Sequence, residues 1–143
     1  MKTIKKNVYY CDFCKKRNLS ASHMHKHEKG CTNNPNRVCG ICGMQPDVLK
    51  EIVKKFKDRF SIKEDVCYPG DYMTIEKIIW YEDKPITLVE IREAADYCHA
   101  CILAILRQTH MTWQLFDFNF DYQKERSEYW NGENEKLRRE EYY

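Results

Sequence analysis

Two groups of soft ligands dominate the chemistry that this chain could perform. Cys11 and Cys14 form a Cys-x2-Cys pair, and His27 and Cys31 form a His-x3-Cys pair twelve residues later. Each pair fits on one turn of backbone, so four side chains can converge on one tetrahedral zinc ion. A second knuckle, Cys39-Gly-Ile-Cys42-Gly43, needs partners, and Cys98-His-Ala-Cys101 is the other Cys-x2-Cys pair in the chain. Cys39, Cys42, Cys98 and Cys101 are therefore expected to form a four-cysteine site, giving two zinc ions per chain. Its alternative is that Cys98 and Cys101 are small core hydrophobes. His99 could replace one of the sulfurs, and Cys67 is left as a lone thiol.

The elements that must position the first ligand set are short. Residues 7–10 read as a strand, Cys11–Cys14 as a knuckle, and Lys15-Lys16-Arg17 as a basic run. Ser20 or Ser22 can cap a helix that runs toward Lys29, with Gly30 ending it in a left-handed conformation. That helix carries His27 to the metal. His23, four residues earlier on the same face, is an alternative ligand, whereas His25 points away.

With these residues in place, the segment 9–31 resembles the two-Cys two-His zinc-finger family in its Cys-terminated variant. Tyr9 stands two residues before the first Cys and Met24 three before the first His, as that family's pattern has them. The second apolar position of the pattern falls on Asn18, with Leu19 one place late. The resemblance implies a ββα module. It also implies base-reading positions at Ser20, His23 and Lys26, and phosphate contacts from Lys15, Lys16, Arg17 and Lys29. Fingers that read sequence usually come in arrays, and this one has no repeat after it, so contact without sequence preference is the expectation.

Downstream, Pro46 opens a predicted helix to about Arg59, with Val48, Leu49, Ile52, Val53, Phe56 and Phe60 on one face. Pro69-Gly70 reads as a turn, and 72–81 as a strand or short helix. Thr87-x2-Glu90 is a capping box before an apolar stripe through Leu88, Ile91, Ala95, Cys98, Ile102 and Ile105, which predicts one helix to about Arg107. On it Cys98 and Cys101 are i and i+3. Residues 114–122 alternate aromatics with acids and read as a strand or an aromatic arm; a charged helical tail follows.

The chain has 143 residues and a formal charge of +2, unevenly spread. Residues 1–37 hold nine Lys and Arg against two acids, a formal +7; residues 38–143 hold fifteen against twenty, a formal −5. Eight cysteines in pairs beside histidines, with no secretory leader, favour metal ligation in a reducing compartment over disulfides. The longest apolar run, Ala100–Leu106, is too short for a bilayer, so a cytoplasmic location is expected. No phosphate loop, nucleophile elbow or His-Glu-x-x-His motif is present, and both sites look closed by four protein ligands, so the chain reads as a non-enzyme with no small-molecule substrate. The expected fold class is α+β: a basic ββα finger over 1–37, then an acidic, mainly helical zinc-stabilised domain with a few short strands over 38–143. The expected function is macromolecular recognition, as a regulatory nucleic-acid-binding factor; the alternative is a protein-protein interaction module or inhibitor in which zinc is purely structural. The layout as a whole resembles small phage-encoded zinc-binding proteins, a resemblance that implies no mechanism but raises the expectation of a factor acting on host machinery.

Overall fold

The structure, a computed structural model, describes residues 1–68, 70, 72–112 and 115–141, with the side chains of 133–141 outside the description. It is an α+β fold: five helices and two separate two-stranded antiparallel sheets. Strands β1 (Tyr9–Tyr10) and β2 (Arg17–Asn18) flank the first knuckle, and α1 (Ala21–Gly30) follows. Then come α2 (Pro46–Lys57), the hairpin β3 (Phe60–Cys67) and β4 (Thr74–Tyr81), and the helices α3 (Leu88–Ala94), α4 (His99–Gln108) and α5 (Tyr122–Glu141). Among the described residues, no helix is long and apolar enough to cross a membrane.

Helix α2 begins where proline needs no amide partner, with Pro46 at its first position, and ends one turn after a run of lysines that suits the carbonyl end of a helix. It buries Leu49, Val53 and Phe56. Two members of its expected face differ: Val48 lies 48% exposed, and Phe60 belongs to β3 instead. The main core gathers these residues with Ile91, Ile102, Ile105, Leu106 and Met111, and it includes Cys39, Cys98 and Cys101. Ion pairs tie the helices at its rim: Arg59 with Glu90, and Arg92 with the buried Glu125.

The ambiguous segment 72–81 is a strand. It pairs along its whole length with β3, from Phe60↔Tyr81 to Cys67↔Thr74. Only the base of this hairpin joins the core, through Phe60, Ile79 and Tyr81; Val66, Ile75 and Trp80 lie exposed. The predicted turn falls partly on Pro69, outside the described residues.

Two predicted elements are corrected. The strand expected over 114–122 does not form: Gln114 lies outside the described residues, 115–117 is a turn, and α5 begins at Tyr122. Asp117 has φ 53°, which breaks an extended run, and the aromatics pack inward instead of pairing. Phe116 meets Phe60 edge-on at 5.1 Å and Phe118 at 5.5 Å. The Trp113 of the same aromatic cluster is also outside the described residues.

The single helix expected from Leu88 to Arg107 is two helices. The chain leaves α3 at Ala95, passes through Asp96 and Tyr97 at φ 51° and 60°, and re-enters a helix after Cys98. The Tyr97 amide donates to the Arg92 carbonyl at 2.8 Å, the six-to-one bond of a Schellman-type cap. The apolar stripe continues across the break because both helices bury the same side, which is why periodicity alone reads as one helix.

Left-handed backbone costs a non-glycine residue about 1–2 kcal/mol, and Tyr97 is 55% exposed, so its ring offsets little of that. Tyr97→Gly should therefore raise stability by about 0.5–1 kcal/mol after the extra chain entropy of glycine. A thermal or denaturant midpoint that falls or stays fixed contradicts strain at this joint.

Candidate metal centres

The first knuckle is closed by two backbone hydrogen bonds: the Cys11 amide donates to the Lys16 carbonyl at 2.8 Å, and the Lys15 amide to the Cys11 carbonyl at 3.0 Å. Lys15 sits at φ 64° to allow this. The Phe13 and Cys14 amides then point at the Cys11 sulfur. Across from it, Ser20 caps α1 by accepting from the His23 amide at 3.4 Å, and α1 delivers His27 in its last turn and Cys31 at its C-cap. His27 Nε2 lies 3.2 Å from Cys14 Sγ. Cys11, Cys14, His27 and Cys31 offer ligand atoms within 4.8 Å of one another.

The second knuckle repeats the same turn. The Cys39 amide donates to the Met44 carbonyl at 3.1 Å and the Gly43 amide to the Cys39 carbonyl at 3.0 Å, with Gly43 at φ 77° where the first knuckle has Lys15. The Cys42 amide reaches Cys39 Sγ at 3.5 Å. The break before α4 brings the other two ligands: Cys98 is the N-cap of α4 and Cys101 lies in its first turn. A helix N-terminus aims free amides and the positive end of its dipole at this position, an arrangement a continuous helix could not supply. Cys39, Cys42, Cys98 and Cys101 also lie within 4.8 Å of one another.

Both tetrads fit zinc. Bonds of about 2.3 Å to sulfur in a tetrahedron imply sulfur–sulfur edges of about 3.8 Å. The structure has 3.8 Å for Cys39–Cys98 and 3.3 Å for Cys42–Cys101. A disulfide needs about 2.05 Å, and the eight cysteines are free. The thiol chemistry points the same way. Cys39, Cys98 and Cys101 are buried and Cys42 is exposed, and four thiols this close together cannot all ionise by themselves. Cys39 is driven toward thiolate by hydrogen bonds from Cys101 and Cys98, which pushes the Cys101 proton up, with burial adding to the effect. For Cys98, the Cys101 hydrogen bond works downward, but the bond to Cys39 and burial outweigh it and leave the thiol at about 12. In the first tetrad burial is the main cause that holds Cys31 at about 11. A divalent cation favours thiolate and so reverses the raised shifts at Cys31, Cys98 and Cys101.

Arg37 stands between the two centres. It is 3% exposed. Its Nη1 approaches Cys101 Sγ at 3.7 Å while its Nε donates to the Gly30 carbonyl at the end of α1, at 3.2 Å. The segment Thr32–Val38, which reads from sequence as a plain loop, thus closes α1 and joins it to the core. Asn34 Nδ2 donates to the Glu28 carbonyl at 2.7 Å and the Val38 amide to the Lys29 carbonyl at 3.1 Å. From α4, Arg107 and Gln108 donate to Thr32, and Gln108 also to the Asn34 carbonyl.

Other expected site residues fall as follows. His23 and His25 are exposed and belong to neither tetrad. His99 is also no ligand: its ring is buried edge-on against Tyr122 and Tyr129, with Nδ1 lacking a hydrogen-bond partner. Gly30 is the last residue of α1 and not left-handed. Lys15, Lys16, Arg17, Lys26 and Lys29 are exposed, whereas the Ser20 hydroxyl is engaged as the cap. Asn18 sits in β2, and its side chain accepts from the Ser20 amide at 2.9 Å. With Leu19 60% exposed and Tyr9 36% exposed, Met24 is the buried apolar residue packed on the first tetrad beside its own cysteines. Arg37, Asn34 and Gln108 were not legible as site residues, because a buried arginine and a capping asparagine look like loop polarity until the fold is known.

No protein-family model matches the sequence, and comparison with curated proteins and with solved structures gives no match.

The two centres should fail differently. Cys14→Ser should drop the metal content from two zinc ions to one and unfold only the segment around α1, whose buried apolar residue beside the cysteines is Met24. Cys101→Ser should lose cooperative unfolding of the whole core, seen by circular dichroism and metal analysis; equal, local effects of both changes would contradict the placement of the second tetrad in the core. Acid should strip both centres. Cys98 and Cys101 in the second tetrad and Cys31 in the first hold raised protons that zinc must displace, so zinc affinity falls as pH falls at each centre. Affinity that does not change with pH in chelator competition would refute thiolate ligation.

Proposed function

We propose that this chain is a zinc-stapled nucleic-acid-binding factor acting in a regulatory role, with the segment 9–31 working as a Cys-terminated member of the two-Cys two-His finger family. The observation that carries the reading is the collar of exposed cations around the first tetrad. Lys15, Lys16 and Arg17 follow the knuckle, and Lys26 and Lys29 lie on α1, all open to solvent. Among the described residues none of them forms an ion pair with an acid, although Lys15 Nζ donates to the Asp12 carbonyl at 3.1 Å. Three thiolates around a zinc ion leave the centre itself at −1, so the collar keeps a clear positive excess. Such a surface attracts phosphate through counterion release and carries no base preference of its own. The occupied Ser20 hydroxyl favours this backbone mode over base reading at Ser20, His23 and Lys26.

A second reading rests on the β3–β4 hairpin. Ile75 and Trp80 are 58% and 55% exposed on a two-stranded sheet whose outer edges are unpaired among the described residues, and Tyr72, just before β4, is 79% exposed. Exposed apolar surface of this kind suits a protein partner, phage host machinery included, that adds a strand or covers a face. In that case the finger is structural.

Binding of a labelled duplex at about 50 and 200 mM salt separates the two. The nucleic-acid reading expects retention at the lower salt that collapses at the higher. Replacing Lys15, Lys16 and Arg17 by Ala should weaken every sequence alike and reduce the salt slope by about two to three. No retention of any nucleic acid at the lower salt sinks it and leaves the hairpin reading.

A further inference from the structure

We propose that the cleft between the first knuckle, α2 and the end of α4 is a binding site for a single-stranded polynucleotide. The proposal rests on the nucleic-acid reading above but assigns the contact to a different surface. The cleft encloses about 1080 Å³. One wall is α2, which turns Lys50, Lys54 and Lys57 into it. Their spacing of four and three residues puts them on a single helical stripe. Arg107 comes from α4, and Asp58 is the acid among the lining residues. The floor is apolar and buried: Val53, Leu106 and Met111. At the finger end stands Phe13, from inside the Cys11–Cys14 knuckle, 38% exposed.

Each of these features has an ordinary explanation, yet together they exceed it. Lysines in the last turn of α2 complement the helix dipole, which accounts for Lys54 and Lys57. It also covers Arg107, in the last turn of α4, which donates to Thr32 Oγ1 at 2.8 Å, but it does not account for Lys50, in the middle of α2. Like charges four residues apart destabilise a helix. Among the described residues no acid forms an ion pair with any of the three lysines. An anionic chain lying along the stripe would relieve that repulsion. A duplex offers only phosphate there, because its bases are stacked inside, and would leave the apolar floor and the Phe13 ring unused. A single strand uses all parts at once: phosphates on the lysines and Arg107, and unstacked bases on Phe13 and the floor. The cations come from the part of the chain whose overall charge is acidic, and α2 gathers them beside the finger.

The test uses the full-length, zinc-loaded protein with labelled oligothymidylate and oligouridylate of about twelve nucleotides and a duplex of the same length, followed by fluorescence anisotropy. Zinc content per chain serves as the control for folding in every variant. The expected results are tighter binding of the single strands than of the duplex and a loss on the order of a hundredfold when Lys50, Lys54 and Lys57 are all changed to Glu. Phe13→Leu should lose about tenfold while Phe13→Tyr retains binding, since stacking needs a ring and not merely an apolar side chain. Comparing the thymidylate with the uridylate tells whether DNA or RNA is preferred. Single-strand affinity unchanged in the lysine variant, with both zinc ions bound, overturns the proposal. So does displacement of the oligonucleotide by polyglutamate with no dependence on Phe13, which reassigns the cleft to an acidic peptide. If binding is intact in the lysine variant but lost when Lys15, Lys16 and Arg17 become Ala, the cleft is wrong and the finger reading stands. No binding of any nucleic acid overturns both.

Discussion

Burying thiolate charge is the constraint that the rest of the structure answers to. Three members of the second tetrad, Cys39, Cys98 and Cys101, lie in the main core with Leu49, Ile91 and Ile102, while Cys42 is exposed; an unbalanced charge in that core costs several kcal/mol. Four thiolates around a divalent ion still leave a formal −2. Three arrangements share that excess: the amides of the knuckle, the N-terminal end of α4, and the guanidinium of Arg37. The interruption between α3 and α4 follows from the same need, since only a helix that starts at Cys98 can face its amide end toward the sulfurs. Strain at Asp96 and Tyr97 is the local expense, offset by ligation.

Arg37 gives this electrostatic balance a mechanical side. One guanidinium serves both Cys101 and the last carbonyl of α1, so the charge of one centre and the helix end of the other share a group. Asn34, Gln108 and Arg107 extend the joint with hydrogen bonds to backbone and hydroxyl oxygens around Thr32 and Asn34. The finger is thereby seated on the core by polar contacts, with hardly any apolar burial. This explains how a module with Met24 as its buried apolar residue holds a defined position.

Local signals carried much of this into the sequence. The Cys and His spacings anticipate which eight side chains converge, because knuckles and single helical turns are short-range geometry. Pro46 and the Thr87 capping box mark helix starts for the same reason. What stayed hidden depends on tertiary context. The stripe through Leu88 and Ile105 has no gap at Asp96–Tyr97, since a left-handed pair without glycine leaves no compositional trace. The aromatic alternation over 114–122 satisfies a strand pattern, yet Phe116 and Phe118 found rings to pack against and no strand to pair with. β3 was missed because Glu64 interrupts the alternation of Phe60, Ile62 and Val66. The stripe of Lys50, Lys54 and Lys57 went unread, because only the fold sets Phe13 and Arg107 beside it.

The two knuckles share one hydrogen-bond pattern but fill its left-handed position differently, with Gly43 in one and Lys15 in the other. Glycine enters the left-handed region freely, whereas lysine gives up about 1–2 kcal/mol there. Set against metal binding, that difference is about a five- to thirtyfold handicap in occupancy for the first centre. On this difference alone, the first centre empties before the second as zinc becomes scarce. Zinc supply then sets how much of the chain carries an ordered segment 9–31 on a body still held by its second tetrad.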